Sequence, residues 1–171
     1  MKAPRIVALL VLLAVVAYVC WFFLFRPPPP TGLLTVYYTK LDGSTLGAWT
    51  ISQRPREPNE SSPQYLQYRA LYAAIQAVTG PPSDVRAIRF PSGTHVNAVT
   101  VAGPDADVDL SSEVTHQAGT FGENGEFKAL VYTLTGIRGI DAVQVTVDGR
   151  RLQTLPHGSL ELDTPLRRSD W

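Results

Sequence analysis

The chain has 171 residues, with 15 Lys and Arg against 15 Asp and Glu and a formal net charge of zero at pH 7. Charge so balanced gives no bulk attraction to a phosphate backbone, which excludes nucleic acid as a partner. The one cysteine, Cys20, excludes an internal disulfide framework and a cysteine-ligated zinc site.

Twenty consecutive residues, Ile6 to Phe25, carry no charge. As a helix they extend about 30 Å, enough to cross the hydrocarbon core of a bilayer. Lys2 and Arg5 precede the run and only Arg26 follows it closely. Positive flanks stay in the cytoplasm, so residues 1–5 are expected inside and the bulk of the chain outside. Trp21, Phe22, Phe23 and Phe25 crowd the outer end of this transmembrane segment, 6–25. A cleaved signal peptide has a shorter apolar core and small residues before the cut, whereas Trp-Phe-Phe-Leu-Phe-Arg-Pro offers none. Cys20, inside the run after Tyr18 and Val19, does not suit a lipidation site. Pro27 to Pro30 predict a stiff polyproline II stalk of about 12 Å within residues 26–32. Residues 33–171 then form one domain large enough for its own core. With Lys2, Arg5 and Arg26 left behind and every acidic residue retained, that domain has a net charge of −3.

Along the domain, Leu33 to Thr39 is β-prone and predicts a strand. Asp42-Gly43-Ser44 predicts a turn, and the alternation over Ala48 to Gln53 predicts a second strand. Residues 54–63, rich in Pro, Asn and Ser, predict a loop. Asn59-Glu60-Ser61 within it matches a glycosylation sequon, as a polar loop also does by chance. Gln64 to Thr79 has helical spacing, with Tyr65, Tyr68, Leu71, Tyr72, Ile75 and Val78 on an apolar stripe expected to face the core. Gly80-Pro81-Pro82 stops it. Short strands are expected at Val85 to Phe90, Val96 to Ala102 and Ala106 to Leu110. A second helix is expected over Gly125 to Thr135, with Phe127, Leu130, Val131 and Leu134 inward. Ala142 to Asp148 alternates as a strand, and Asp148-Gly149 predicts a hairpin returning through Arg150 to Leu155. Leu160 to Leu162 is expected as an edge segment. The elements together predict an α+β domain: a mixed β-sheet with two main helices packed on one face, preceded by the transmembrane helix.

Few residues suggest chemistry. Asp105, Asp107 and Asp109 alternate along a strand and could face one side, but an EF-hand loop would need Gly and an acid where Leu110 and His116 stand. A solvent-facing strand, with Asp109 capping the turn at Ser111–Ser112, accounts for them. His95, His116 and His157 have no metal-ligand spacing. No Gly-x-Ser-x-Gly elbow is present, and Gly119, Gly122 and Gly125 lack the Lys-Ser/Thr ending of a phosphate loop. No cofactor is expected. The tyrosine stripe could instead form a small-ligand platform, though core packing explains it.

Val36-Tyr37-Tyr38, Ala74-Ile75-Gln76-Ala77-Val78-Thr79-Gly80-Pro81, Phe90-Pro91-Ser92-Gly93-Thr94 and Val108-Asp109-Leu110-Ser111-Ser112-Glu113 follow one another in order. So do Leu130-Val131-Tyr132-Thr133-Leu134-Thr135, Val143 to Gly149 and Pro165-Leu166-Arg167-Arg168. In that order they resemble the GerM domain (GerMN) family of bacterial sporulation and germination proteins, over nearly all of residues 33–171. The resemblance implies an extracytoplasmic, membrane-tethered interaction module with no catalytic residues. Two departures stand out: a single copy of the domain, and an apolar anchor in place of a lipidated cysteine.

The expected function is therefore a membrane-tethered protein-interaction module of the bacterial cell envelope. Its partners are the membrane, through residues 6–25, and another envelope protein or the cell-wall machinery. Arg150, Arg151, Arg167 and Arg168 are the expected contact residues, because arginine suits acidic or planar partners. The alternative is an envelope hydrolase acting on wall polymers. That alternative requires Asp107, Asp109, Glu113 or His116 to converge in one pocket.

Overall fold

β1 (Leu33–Thr39) and β2 (Leu46–Ser52) form an antiparallel hairpin. Its reversal is built by Asp42, whose Oδ1 accepts the N–H groups of Ser44 at 2.9 Å and Thr45 at 2.7 Å. The Thr45 side chain, together with these N–H groups, holds the Asp42 carboxyl down to about 2. The chain then crosses a proline-rich loop to α1 (Ser62–Thr79). Ser61 caps this helix. Its hydroxyl accepts the Gln64 N–H, and the Gln64 side chain accepts the Ser61 N–H in return. Pro63 sits in the first turn and Gly80 closes the other end, its N–H bonded to Gln76 O.

β3 (Val96–Ala102) and β4 (Asp105–Leu110) pair antiparallel. A 3₁₀ turn at Ser112–His116 and then α2 (Thr120–Leu134) carry the chain to β5 (Ala142–Val147), which pairs parallel with β4. The sheet order is β3-β4-β5. A parallel pair needs a crossover, and α2 supplies it. The tail returns along β5, where Leu166 and Val143 exchange N–H···O bonds of 2.8 and 2.9 Å. The Gln144 amide donates to Leu162 O at 2.6 Å, and Leu155, Leu160, Leu162 and Leu166 are buried beneath this strap.

The computed structural model describes Val15, Val16, Tyr18, Trp21 and residues 32–171 other than Gln117, Ala118 and Ser159. The chain divides into two units, Met1–Thr31 and Gly32–Trp171. In the first, the four described residues are helical and exposed, with the Tyr18 and Trp21 rings 6.4 Å apart. The expected Ile6–Phe25 anchor and the Pro27–Pro30 stalk otherwise lie outside the described residues. Among the described residues no helix is long and apolar enough to cross a membrane.

α2 forms the centre of the second unit. Phe127, Leu130, Val131 and Leu134 are all fully buried, as their spacing predicts, and Phe127 meets Phe90 edge-on at 5.7 Å. The helix starts five residues before the predicted Gly125. Gly122 and Gly125 look like helix breakers, but Gly125 is there for contact. A Cβ on it would lie 2.5 Å from Ile88, and its carbonyl accepts the Thr39 hydroxyl at 2.7 Å.

The α+β class holds, with two main helices and mixed pairing, but the five strands among the described residues make two sheets rather than one. The outer edge of β1 meets α2 and Ile88 instead of a strand: Tyr37 N–H bonds Thr133 Oγ1 at 2.9 Å, and Ile88 N–H bonds Thr39 O. Val85 to Phe90 is not a strand and forms only a Lys40–Ala87 bridge. There Arg89 folds back onto the carbonyls of Pro81, Pro82 and Val85, fixing an irregular loop. The Asp148-Gly149 turn forms, with φ of 46° and 72°, yet the return strand is reduced to a Val147–Arg150 bridge. The edge it would occupy on β5 is taken by Leu166.

The face of α1 also differs from expectation. Its buried residues are Ala70, Ala73, Ala74, Ala77 and Val78, whereas Leu71 and Ile75 are 37% and 40% exposed. Alanines allow close approach of neighbouring elements, and they follow the i, i+3, i+4, i+7, i+8 spacing of a buried stripe. The tyrosines lie beside it, half-buried. Tyr65, Tyr68 and Tyr72 stack in sequence 6.1 and 6.0 Å apart, and the Tyr65 and Tyr72 hydroxyls donate to Arg54 O and Ser52 O.

Candidate interaction surface

Arg150 and Arg151 are exposed just beyond the Asp148-Gly149 turn. Asp109 braces that turn. Its Oδ1 accepts the Thr146 hydroxyl at 2.8 Å and the Gly149 N–H at 2.7 Å, and its Oδ2 accepts the Asn97 amide at 3.1 Å. Burial works to raise the Asp109 carboxyl, but the Gly149, Thr146 and Asn97 donors outweigh it and hold the group below its ordinary value. Asp109 is therefore a structural brace on the 148–149 turn, not the cap of Ser111–Ser112 that its position suggests.

The second arginine pair divides. Arg167 is exposed. Arg168 is committed to α2: its Nε donates to Thr135 Oγ1 at 2.7 Å and its Nη2 to Tyr132 O at 3.0 Å. Its guanidinium also lies 4.9 Å from the Tyr132 ring centre and 6.0 Å from that of Tyr37. A cation at a helix C-terminus satisfies carbonyls that have no partner within the helix. The two pairs sit toward opposite ends of β5, since Leu166 bridges Val143 and Arg150 bridges Val147. Four strand residues separate them by about 13 Å.

The aspartates of β4 alternate with the buried Ala106, Val108 and Leu110, so all three lie on the face away from the core, with Asp107 exposed. His95 Nδ1 sits 3.0 Å from Gly93 O, and the His157 N–H donates to Glu123 Oε1 at 3.3 Å. Among the described residues no three His, Cys, Asp or Glu side chains could hold a metal ion together. Glu113 is held below its ordinary value, first by the Ser111 hydroxyl and then by its own N–H, with His95 and His116 nearby adding to the effect. A general acid needs a raised carboxyl. Asp109 and Glu113 are both shifted the other way. A cleft of about 450 Å³ is lined by Gly158, Leu160, Glu161, Thr164, Pro165, Leu166 and Asp170. None of Asp107, Asp109, Glu113 and His116 reaches it.

Sequence reasoning missed two arrangements. Arg54 forms a two-pronged pair with Glu60, at 2.8 and 2.6 Å, while lying 4.1 Å from the Tyr68 ring centre. The Glu60 hydrogen bond raises Arg54 and lowers Glu60. Within the sequon, Glu60 is thus engaged by Arg54 and the Glu57 N–H of the preceding loop, and Ser61 caps α1. Second, Glu123 and Glu126 of α2 are 0% and 1% exposed. Their charge marks them as surface residues in any periodicity reading.

Residues 35–153 match the Germane family, described as sporulation and spore germination. The chain belongs to that family. The first GerMN domain of the sporulation protein GerM from Bacillus subtilis is similar in fold at 24% identity and a TM-score of 0.60, covering 82% of this chain and 100% of that one. The tandem GerMN domains of the same protein match at 23% identity and a TM-score of 0.60, over 81% of this chain. This chain spans 46% of the tandem structure. A lipoprotein of Clostridium perfringens, solved at 2.5 Å, matches at 19% identity and a TM-score of 0.56, over 81% of this chain and 88% of its own. No curated protein matches the chain.

Proposed function

We propose that residues 33–171 are a non-catalytic interaction module of the bacterial cell envelope, displayed outside the membrane by the Ile6–Phe25 anchor and the short proline stalk. The observation that carries this reading is the presentation of Arg150 and Arg151 on a turn braced by Asp109. Two guanidinium groups on a rigid turn lose little freedom on meeting an acidic or planar partner surface. Arg167 adds a third exposed cation near the far end of β5, while Arg168 keeps the tail in place. Family membership supports the envelope setting, because the matched relatives are described as sporulation proteins and a lipoprotein.

The test is crosslinked capture of partners by the intact membrane protein, from cells in which a C-terminal reporter active only outside the cytoplasm is also read. Arg150→Ala/Arg151→Ala is expected to weaken capture roughly thirtyfold, the effect of losing one interfacial hot spot of about 2 kcal/mol. Asp105→Asn/Asp107→Asn is expected to leave capture unchanged. The reverse pattern would reject the arginine surface. Turnover of a wall fragment, lost in the aspartate variant, would favour an envelope hydrolase instead.

A further inference from the structure

Among the described residues the two sheets have four outer edges, and three of them are capped over part of their length by other elements. On β1, Tyr37 N–H is taken by Thr133 and Thr39 O by Ile88. On β3, the side-chain amide of Gln67 in α1 imitates a strand: its Oε1 accepts the Val101 N–H at 2.8 Å and its Nε2 donates to Val99 O. On β5, Leu166 pairs with Val143, the Gln144 amide covers Val145 O and Arg150 pairs with Val147. Open edges template pairing with another chain, which explains closure of this kind.

β2 is different. The Gly32–Gln53 and Lys40–Thr45 bonds fix the hydrogen-bonded register of the hairpin, so Gly47, Trp49 and Ile51 turn their backbone groups toward β1. Leu46, Ala48, Thr50 and Ser52 therefore turn theirs outward. Ser52 O accepts the Tyr72 hydroxyl at 3.3 Å. Ala48 and Thr50 are exposed, and among the described residues nothing bonds their outward N–H and C=O groups. The strand reads Leu-Gly-Ala-Trp-Thr-Ile-Ser, seven residues with no charge, proline or bulge to discourage pairing.

We propose that β2 is a self-association edge, pairing antiparallel with β2 of a second copy across a two-fold axis at Trp49. A second copy fits better than an unrelated extended segment for two reasons. The free groups of Ala48 and Thr50 straddle one residue, so a two-fold axis there sets Ala48 opposite Thr50 of the other copy. All four groups on each strand are then satisfied, in two narrow hydrogen-bonded pairs. Charge is also complementary under that axis. No like charges meet along the strand, and the hairpin tip bearing Asp42 approaches the loop bearing Arg56 of the other copy. Trp49 would face its own counterpart as the close pair at the centre, Cα atoms about 4.5 Å apart. The product is a continuous four-stranded sheet, β1-β2-β2-β1.

The experiment uses the full chain in detergent micelles, with mass measured by sedimentation over a range of concentration. Wild type is expected to reach two copies. Ala48→Lys/Thr50→Lys, which alters only exposed side chains, is expected to weaken association roughly tenfold or more through like charges across the axis. Its far-UV circular dichroism should be unchanged. Independently, Ala48→Cys/Thr50→Cys in a Cys20→Ser background should oxidise to a crosslinked dimer, whereas Thr35→Cys on the neighbouring β1 should not. A wild type that stays single, a lysine variant that still pairs as wild type does, or equal crosslinking at Thr35 would each overturn the proposal. An unfolded lysine variant leaves the cysteine comparison to decide it.

Discussion

α1 and α2 have similar lengths and lie in contact, yet they do different work. α2 is buried nearly all round, even at Glu123 and Glu126, and touches β1, β5, α1 and the tail. α1 buries only a strip of small residues and leaves Leu71 and Ile75 to solvent. The difference teaches that bulk is not burial. In α2 large side chains fill the core, while in α1 their absence lets the helix come close and the large rings lie alongside.

Three substitutions test this contrast. The largest effect is expected at Leu134→Asp, which places an unpaired carboxylate at a fully buried site. Several kcal/mol are lost there, a large part of the stability of an ordinary domain. Circular dichroism melts of residues 32–171 should lose their cooperative transition, and an unchanged midpoint would mean that α2 is not the centre. Next is Ala73→Leu, at 0% exposure on the close face of α1. Overpacking should cost about 1–3 kcal/mol in urea unfolding, and a neutral result would mean the alanine strip is not tightly packed. The smallest effect is expected at Ile75→Asp, within about 0.5 kcal/mol because the side chain is partly solvated. A loss comparable to that of Leu134→Asp would erase the distinction between the helices.

The same contrast explains what could be read from the chain. β1 and β3 fall where β-branched runs between turn signals place them, residue for residue, and the inner face of α2 follows from Phe127, Leu130, Val131 and Leu134. Of the stripe expected on α1, Val78 is buried and Tyr72 packs against the core, but its centre lies on Ala70, Ala73, Ala74 and Ala77, because tyrosines outweigh alanines on a hydrophobicity scale although the alanines carry a helical spacing of their own. The early start of α2 was hidden by Gly125, whose reason is a contact with Ile88 some forty positions away. Division into two sheets depends on Thr133 and Gln67 closing edges, and side-chain-to-backbone bonds over such separations leave no local pattern. Of the candidate surface, exposure of Arg150 and Arg151 was legible from the Asp148-Gly149 turn. The use of Arg168 as a helix cap was not, because it requires knowing where the tail lies.

That tail bears on where the domain ends. The family match stops at residue 153, yet the 18 residues beyond it hold four buried leucines, the last rung along β5 and the arginine that closes α2. A boundary drawn at the end of the family match would thus cut through the folded body. It would strip β5 of the Leu166 cover over Val143 and give that sheet a bare flank where the folded body now has a seam.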